Sequence, residues 1–251
     1  IPLPLNQVYL DFETISVSHK AKGVQHLDVL INAMPRPIID SRVICFKKAG
    51  LVPAVLEVES QAIVRALTQV KEDANPVMLV DLGFYNTSLI VFAGSAIRLT
   101  SSISVSSQQI TQDIAKSLNV NIQEAETLKI KYGLTADGET KHNLTKIIKP
   151  IINQLVFQIE KYINVYYGHI SHDYLPAEEK IEKIILCGGG ANLKNLTSFL
   201  SKELKTPVEA GNPFLHLLPS NKKNSCTIPD DKALAFTTAI GLAMRGASEN
   251  F

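Results

Sequence analysis

The sequence predicts a mixed α/β fold, because apolar runs of strand length alternate with stretches in which apolar residues recur at helical spacing. Two of the predicted strands lead into glycine-bearing turns, VMLVDLGFYNT at 77–87 and IEKIILCGGGAN at 181–192. Glycine lets backbone amide groups come close to a ligand such as a phosphate. The pair of turns therefore indicates a cleft for a nucleotide.

The composition favours a globular protein and argues against nucleic-acid binding. The 251 residues are 45% hydrophobic, which is enough for one large core or two modest ones. The 25 basic and 24 acidic residues nearly cancel and no long run of one sign occurs, so no surface that would track a phosphate backbone is expected. Cys45, Cys187 and Cys226 form no CxxC pair, and no apolar stretch approaches the ~20 residues of a membrane span. We expect a cytoplasmic protein without direct membrane insertion.

The first third of the chain is predicted to alternate between strands and helices. Prolines at positions 35 and 37 end the second strand, because proline cannot donate a ladder hydrogen bond. Ala49 and Gly50 close the helix that follows. The predicted elements are strands at 7–17 and 24–33, a helix at 38–48, a strand at 51–57 and a helix at 59–70.

The remainder is predicted to begin with an antiparallel meander and to continue mainly as helices. Asn121 and Glu124 form a capping box at the start of one helix. Pro150 marks the beginning of a long helix or a kink within it. The predicted strands are 77–81, 88–93, 96–104, 181–187 and 208–210, and the predicted helices are 110–118, one from Asn121, 144–163, 193–204 and 232–245.

The turn VDLGFYNTS carries the first candidate site. Asp81 stands at the end of an apolar strand, where a carboxylate can bind Mg²⁺ through water beside a polyphosphate. Gly83 lets the chain bend, and Asn86 and Thr87 supply polar donors as the next strand returns. An ordinary β-turn has the same sequence and remains an alternative.

The turn CGGGAN carries the second candidate site. Three successive glycines, Gly188, Gly189 and Gly190, cost backbone entropy and indicate that something approaches the main chain closely. A helix amino terminus directly after them would add free amides and partial positive charge. A flexible connection between strand and helix is the alternative interpretation.

Three charged residues elsewhere are candidates for contact with a nucleotide. Glu126 and Lys129 stand three apart on one predicted helix and can bracket the two hydroxyls of a ribose. An exposed ion pair within the helix is the simpler interpretation unless the fold places that helix over a nucleotide. Glu59 can orient a water near the phosphates, or it can be a solvated glutamate in a first helical turn.

The order of these pieces resembles that of the actin-like ATPase superfamily, in which they are called connect 1, phosphate 2, the ribose-contacting ExxK helix, the adenosine loop and connect 2. Within its FtsA-like branch, the chain is similar to the PilM family of type IV pilus assembly proteins. The similarity covers nearly the whole chain. The segments that carry it are IPLPLNQVYLDFE, KKAGLVPAVLEVESQAIVRAL, VDLGFYNTSLIVF, EAETLK, ILCGGGANLKNLTSFLSKEL, VEAGNPF and AFTTAIGLAMRG.

The resemblance implies an actin-like (ribonuclease H-like) ATPase fold, with two lobes around a nucleotide cleft and the first lobe incomplete. It also implies a division of the chain. Residues 1–50 would be the remainder of the smaller FtsA-like subdomain, 51–76 part of the first lobe, 77–231 the second lobe with a helical insertion at about 107–175, and 232–251 a closing helix that returns to the first lobe.

Site roles follow from the same resemblance, with ATP and Mg²⁺ as the implied cofactors. Asp81 would lie near Mg²⁺, and Glu59 would take the connect-1 acid position as the candidate catalytic residue. Gly83, Asn86 and Thr87 would form the turn that contacts the phosphates, and Glu126 and Lys129 would bind the ribose. The residues that would flank the adenosine are Gly188, Gly189, Gly190 and Ala191.

The family has a further phosphate hairpin, phosphate 1, in a segment that would precede Ile1. We therefore expect this chain to be an amino-terminally truncated part of a longer protein. Without half of the phosphate clamp, ATP binding is expected to be weak and hydrolysis slow at most.

The implied function is that of a cytoplasmic, ATP-binding assembly protein of the type IV pilus inner-membrane platform. Such a protein would be recruited to the inner membrane by binding the cytoplasmic tail of a PilN-like membrane protein, with other platform or motor proteins as further candidate partners. The alternatives are a small-molecule kinase of the superfamily and an FtsA-like filament-forming scaffold. A kinase needs a base near the γ-phosphate, and the sequence offers no convincing candidate acid other than Glu59 and Asp81.

Overall fold

The chain folds into two compact units, one built from residues 1–59 and the other from residues 60–248. The computed structural model describes residues 4–15, 20–21, 24–25, 28–68, 75–135, 139–170, 180–215, 217 and 228–248. Positions 16–17 and 26–27 of the first two predicted strands, and 69–70 of the predicted second helix, lie outside these residues. Of the helices described, none has the length and apolar character needed to cross a membrane.

Within the described ranges, the strands form three separate sheets. Strands β1 and β4 pair with each other, the short strands β2 and β3 pair with each other, and five strands form the sheet of the second unit. The strands are β1 (Val8–Ile15), β2 (Lys20–Ala21), β3 (Val24–Gln25), β4 (Asp28–Pro35), β5 (Val77–Leu82), β6 (Thr87–Ala93), β7 (Ala96–Ile103), β8 (Lys183–Cys187) and β9 (Val208–Ala210).

Eight α-helices are found among the described residues, together with short 3-10 turns. Two of those 3-10 turns, Gly189–Asn192 and Leu234–Phe236, bear on the candidate site. The helices are α1 (Arg36–Lys48), α2 (Glu59–Leu67), α3 (Ser107–Leu118), α4 (Ile122–Tyr132), α5 (Glu139–Ile170), α6 (Leu196–Leu204), α7 (Asp230–Ala233) and α8 (Thr237–Ser248).

The first unit is an antiparallel pair of strands with one helix. Strand β4 ends at Pro35, and α1 begins at the next residue because the proline at position 37 falls in the first helical turn, where a missing N–H is not needed. Tyr9 faces α1: its hydroxyl donates to Asp40 Oδ1 at 2.9 Å, and the Arg36 guanidinium lies 4.2 Å from its ring centroid.

The opposite face of this strand pair is apolar and, apart from the buried Val8, largely exposed. In the antiparallel register Leu10 lies opposite Ala33 and Phe12 lies opposite Ile31, so these side chains point to one side. That side is away from the face that carries Tyr9, because successive residues of a strand alternate. We call it the open sheet face; its most exposed members are Leu10 at 50%, Phe12 at 67%, Val29 at 40% and Ile31 at 55%.

The segment 51–58 forms neither helix nor strand, so the predicted strand at 51–57 is wrong. Its apolar residues suggested a strand, but Leu51 and Val52 are exposed instead of packed in a sheet. Pro53 also removes one ladder donor.

The second unit is built on a five-stranded sheet in the order β7-β6-β5-β8-β9. Strands β5, β6 and β7 form the predicted antiparallel meander, while β5 and β8 are parallel, with Asp81 opposite Cys187. Parallel neighbours end at the same edge of a sheet. The two glycine-bearing turns that follow β5 and β8 are therefore brought side by side.

Both faces of this sheet are covered, which explains the nearly continuous apolar sequence of β5. Met78, Val80 and Leu82 belong to a large core with residues of α3, α4, α5 and α6. Leu79, which points to the other face, packs in a second cluster with Ile63 of α2. Alternate residues of one strand thus enter two cores.

Several helix boundaries differ from those predicted. Helix α3 begins three residues earlier, at Ser107, because the Ser106 side chain accepts a hydrogen bond from the Gln109 amide and caps it. Helix α5 continues through Pro150, so of the two alternatives, a helix that begins there or one that contains the proline, the first is excluded. The predicted closing helix is divided into α7, a 3-10 turn and α8.

Candidate functional site

The two glycine-bearing turns meet where Asp81 lies against Gly188. Gly188 has φ +81°, and a Cβ at this position would overlap Asp81 Oδ1 and lie 2.7 Å from the Leu82 carbonyl oxygen. Only glycine permits this approach, since an L-residue would be strained at that φ as well. The structure thus brings the carboxylate of the first turn onto the backbone of the second.

The three glycines of the second turn differ in what surrounds them. A Cβ at Gly190 would lie 2.5 Å from Leu82 Cγ, so this glycine, like Gly188, is required by packing against the end of β5. Gly189 is exposed, and a Cβ there would meet only Ala235 Cβ at 3.9 Å. Gly189 therefore offers the accessible main chain that a nucleotide base would need, whereas Ala191 is buried.

Two backbone hydrogen bonds hold this turn, which argues against a flexible connection between strand and helix. The Gly188 amide donates to the Leu234 carbonyl at 3.0 Å, and the Ala191 amide donates to the Gly188 carbonyl at 3.1 Å. The second bond closes the 3-10 turn Gly189–Asn192, and the first ties its start to the 3-10 turn Leu234–Phe236.

The predicted helix at 193–204 begins only at Leu196, so no helix amino terminus directly follows the glycines. The Lys194 carbonyl accepts from the Leu134 amide at 3.0 Å, and Asn195 has a left-handed backbone with φ +63°. A helix cannot pass through that conformation. The expected partial positive charge of a helix end is therefore displaced from the glycine turn.

We call residues 83–87 the phosphate turn, and its shape depends on Gly83. Its amide donates to the Asn86 carbonyl at 3.0 Å, and a Cβ at Gly83 would lie 2.8 Å from that same oxygen. The amides of Phe84, Tyr85 and Asn86 donate to no backbone carbonyl of the described residues. Three neighbouring amides of this kind are suited to an anion.

The polar side chains of this turn are used within the protein. Thr87 is fully buried and its hydroxyl donates to the Val105 carbonyl at 2.7 Å. The Asn86 amide group donates to Ser102 Oγ at 3.0 Å. The turn thus presents backbone rather than side-chain donors, and the predicted phosphate contacts of these two side chains remain predictions.

Glu126 and Lys129 form the ion pair that their spacing predicts, with 2.8 Å between Glu126 Oε2 and Lys129 Nζ. The pair is not the solvated one considered above, because Lys129 is only 6% exposed. Its ammonium group also donates to Ser107 Oγ and Thr111 Oγ1 of α3, at 2.9 Å each. The Thr111 hydroxyl in turn donates to Glu126 Oε2 at 2.6 Å.

The Glu126 carboxylate is stabilised in its charged form. Partial burial raises the pKa of Glu126, but hydrogen bonds from Lys129 and Thr111 and the positive charge of Lys129 outweigh that cost and hold the pKa below its ordinary value of 4.5. A carboxylate that stays ionised is a stronger acceptor for a hydroxyl group.

Glu59 is the first residue of α2 and is exposed. An acidic residue in the first turn of a helix interacts favourably with the helix dipole. Its assignment as the connect-1 acid and catalytic residue remains a prediction.

Sequence reasoning missed Ser107 and Thr111, which hold the Lys129 ammonium group. It placed the start of their helix at residue 110, so Ser107 fell in the polar stretch before the helix and Thr111 was not assigned a role. The signal was available: Ser106 and Gln109 stand three apart, the spacing of a capping box. That signature would have placed both residues in the first turns of α3.

The donors around Asp81 fit a magnesium nucleotide better than a metal held by protein alone. No group of three or more histidine, cysteine, aspartate or glutamate side chains that could hold a metal lies among the described residues. Mg²⁺ beside a nucleotide needs few carboxylates, because phosphate oxygens and waters fill most of its coordination sphere. One carboxylate beside three amides that donate to no backbone carbonyl of the described residues matches that requirement.

Comparison with solved structures confirms the predicted actin-like α/β fold. A structure described as a PilM-PilN type IV pilus biogenesis complex superposes with a TM-score of 0.77 at 24% identity, over 98% of this chain and 68% of that one. MreB 5 of Spiroplasma citri bound to AMPPNP gives a TM-score of 0.65 at 12% identity, over 86% of this chain and 66% of that one.

Comparison of sequences gives the family. Cell division protein FtsA of Neisseria meningitidis serogroup B is 26% identical over 185 residues, which are 67% of this chain and 44% of the relative. FtsA of Pseudomonas aeruginosa is 26% identical over 190 residues, 68% of this chain and 44% of the relative. The chain thus spans less than half the length of these relatives. The family described as type IV pilus assembly protein PilM matches residues 1–247, and the chain belongs to that family.

Proposed function

We propose that this chain is the nucleotide-binding and partner-binding part of an actin-like assembly protein of the type IV pilus inner-membrane platform. The observation that carries the proposal is the close approach of Asp81 to Gly188 at the shared edge of β5 and β8. Membership in the PilM family supplies the pilus context.

The proposed ligand is ATP with Mg²⁺, which supplies the negative charge and the metal that this edge of the sheet would accommodate. Asp81 would hold a water of the metal shell, and the amides of 84–86 would donate to phosphate oxygens. Gly189 would lie against the adenosine, and Glu126 would accept from the ribose. Such binding would favour one conformation of the protein, and it requires no hydrolysis of the ATP.

The proposed partner is the cytoplasmic tail of a PilN-like inner-membrane protein. The related complex contains a protein of that name. The open sheet face of the first unit supports a peptide partner, because four large apolar side chains are exposed together there. We accordingly place the protein in the cytoplasm, recruited to the inner membrane by this tail.

Isothermal titration of the whole chain with ATP, with and without Mg²⁺, tests the nucleotide part. Asp81→Asn should weaken binding about tenfold in the presence of Mg²⁺ and much less in its absence, because the carboxylate acts through the metal. Asp113→Asn, on α3, is the matched control and should bind as the unsubstituted protein does. No binding of ATP at millimolar concentration, or equal loss in both variants, would reject this part.

Titration with a peptide of the PilN tail tests the partner. Phe12→Asp places a charge on the open sheet face and should weaken binding at least tenfold, because the charge would have to be desolvated against the apolar peptide. Ile130→Asp changes a comparably exposed residue of α4 and serves as the control. Equal affinities of the two variants would contradict the assignment of this face.

A further inference from the structure

Lys129 uses all of its protons inside the protein. An ammonium group has three N–H donors. Lys129 Nζ lies 2.8 Å from Glu126 Oε2 and 2.9 Å from both Ser107 Oγ and Thr111 Oγ1, and the Ser107 carbonyl lies a little farther away at 3.3 Å. With 6% of the residue exposed, no donor is left for a ligand.

Glu126 is the member of the pair that faces outward. Both of its hydrogen bonds, from Lys129 and from Thr111, reach Oε2. Its side chain is 41% exposed, and Oε1 accepts from no described residue. The pair therefore presents one acceptor atom to the outside and keeps its cation within.

Ser107 connects this pair to the phosphate turn. Its hydroxyl accepts from Lys129, while its amide donates to the Gly83 carbonyl at 3.0 Å. The next amide, of Gln108, donates to the Phe84 carbonyl at 3.0 Å. Two amides in the first turn of α3 thus donate to carbonyl groups of the phosphate turn. Lys129 in turn donates to the Ser107 hydroxyl in that helical turn.

We propose that Lys129 is a positioning residue: it orients Glu126 so that Oε1 alone accepts from the ribose, and through Ser107 it fixes the phosphate turn. This inference rests on the proposed binding of ATP. It replaces the expected direct contact of Lys129 with the ribose by an indirect one. Ribose and phosphate recognition become coupled, because a single buried ammonium group supports both.

The first arm of the test needs no nucleotide. The carboxyl carbon of Glu126 is titrated by ¹³C NMR in the whole chain. Lys129→Met should move the titration midpoint of Glu126 upward to above its ordinary position, because burial remains while the cation is lost. Lys131→Met, on the same helix but exposed, should leave the midpoint unchanged. An unchanged midpoint in Lys129→Met would overturn the proposal.

The second arm compares ATP with 2′-deoxyATP. Glu126→Gln should reduce the preference for ATP about tenfold, since it replaces a charge-assisted hydrogen bond. Lys129→Met should reduce the preference by a similar factor, and the double variant should lose no more than either single variant. A further loss in the double variant would show that Lys129 contacts the ribose itself and would overturn the proposal.

The third arm uses inorganic tripolyphosphate, which has no ribose. Lys129→Met and Ser107→Ala should each weaken its binding at least threefold, because both remove the hydrogen bond between Lys129 and the Ser107 hydroxyl that supports the first turn of α3, whereas Glu126→Gln should not. Equal affinity in all variants would overturn the coupling. Ser107→Ala retains the lysine and serves if Lys129→Met fails to fold. If the unsubstituted chain binds neither ATP nor tripolyphosphate, the proposed function fails, and the Glu126 titration alone decides the part played by Lys129.

Discussion

At the scale of the residue, Gly188 is the position that joins the two turns. Gly188→Ala should lower the free energy of unfolding by about 2 kcal/mol, because the new Cβ would overlap the Asp81 carboxylate at a backbone conformation that alanine rarely adopts. Urea unfolding followed by circular dichroism measures the change.

The neighbouring Gly189→Ala is its matched control. Its Cβ would meet only Ala235 Cβ at 3.9 Å, so stability should change by less than about 0.5 kcal/mol. Equal destabilisation by the two substitutions would contradict the close approach of Asp81 to Gly188.

The charge of Glu126 should make stability depend on pH. Partial burial raises the pKa of Glu126, but the bonds from Lys129 and Thr111 and the lysine charge bring it below 4.5 in the folded protein. The carboxylate therefore contributes stability above the unfolded pKa, and this contribution is lost as the pH falls through the folded pKa. Unfolding of the unsubstituted chain and of Glu126→Gln should differ most near neutral pH and converge as the pH falls through the folded pKa, which lies below 4.5. If the difference in unfolding free energy between the two proteins grew on acidification, the predicted sign of the pH dependence would be wrong.

At the scale of the element, α2 and α8 approach each other at Gly241. A Cβ at Gly241 would overlap the Ala62 carbonyl, and Arg65 Nη1 donates to the Gly241 carbonyl at 2.9 Å. Gly241→Ala should therefore separate the helices and cost about 2 kcal/mol in a urea unfolding experiment.

Gly246→Ala lies in the same helix with open space around it and should be neutral or slightly stabilising, because alanine has the higher helix propensity. Loss of stability in Gly246→Ala as large as that in Gly241→Ala would reject the close contact as the cause.

At the scale of the whole molecule, the two units differ in how much they bury. Between residues 4 and 58, Val8 is the sole described residue in the hydrophobic core, and α1 has no buried residue. The second unit buries both faces of its central strands. Amides of β1, β4 and α1 should thus exchange hydrogen at least a hundredfold faster than those of β5, β6 and β8, because they open locally. Mass spectrometry of exchanged peptides measures this, and similar protection in both units would contradict it.

The sequence by itself determined the elements whose signals are local. The meander of β5, β6 and β7 follows from apolar runs and tight turns, and the cap of α4 follows from Asn121, whose side chain accepts from the Glu124 amide at 2.8 Å. The order of its motifs also resembles that of the actin-like superfamily, and this resemblance led to the actin-like fold and to the family. The meander and the cap could be predicted because neighbouring residues alone decide them.

Only the tertiary structure decided which chemical groups of the site are available to a ligand. No local pattern states that Lys129 is buried against α3, that the Thr87 hydroxyl is bound to Val105, or that Gly189 is the accessible glycine of three. The predicted strand at 51–57 failed for the same reason, because a strand exists only where a partner strand does. Contacts between residues distant in the chain set burial and hydrogen bonding, and these determine what each side chain can offer to a ligand.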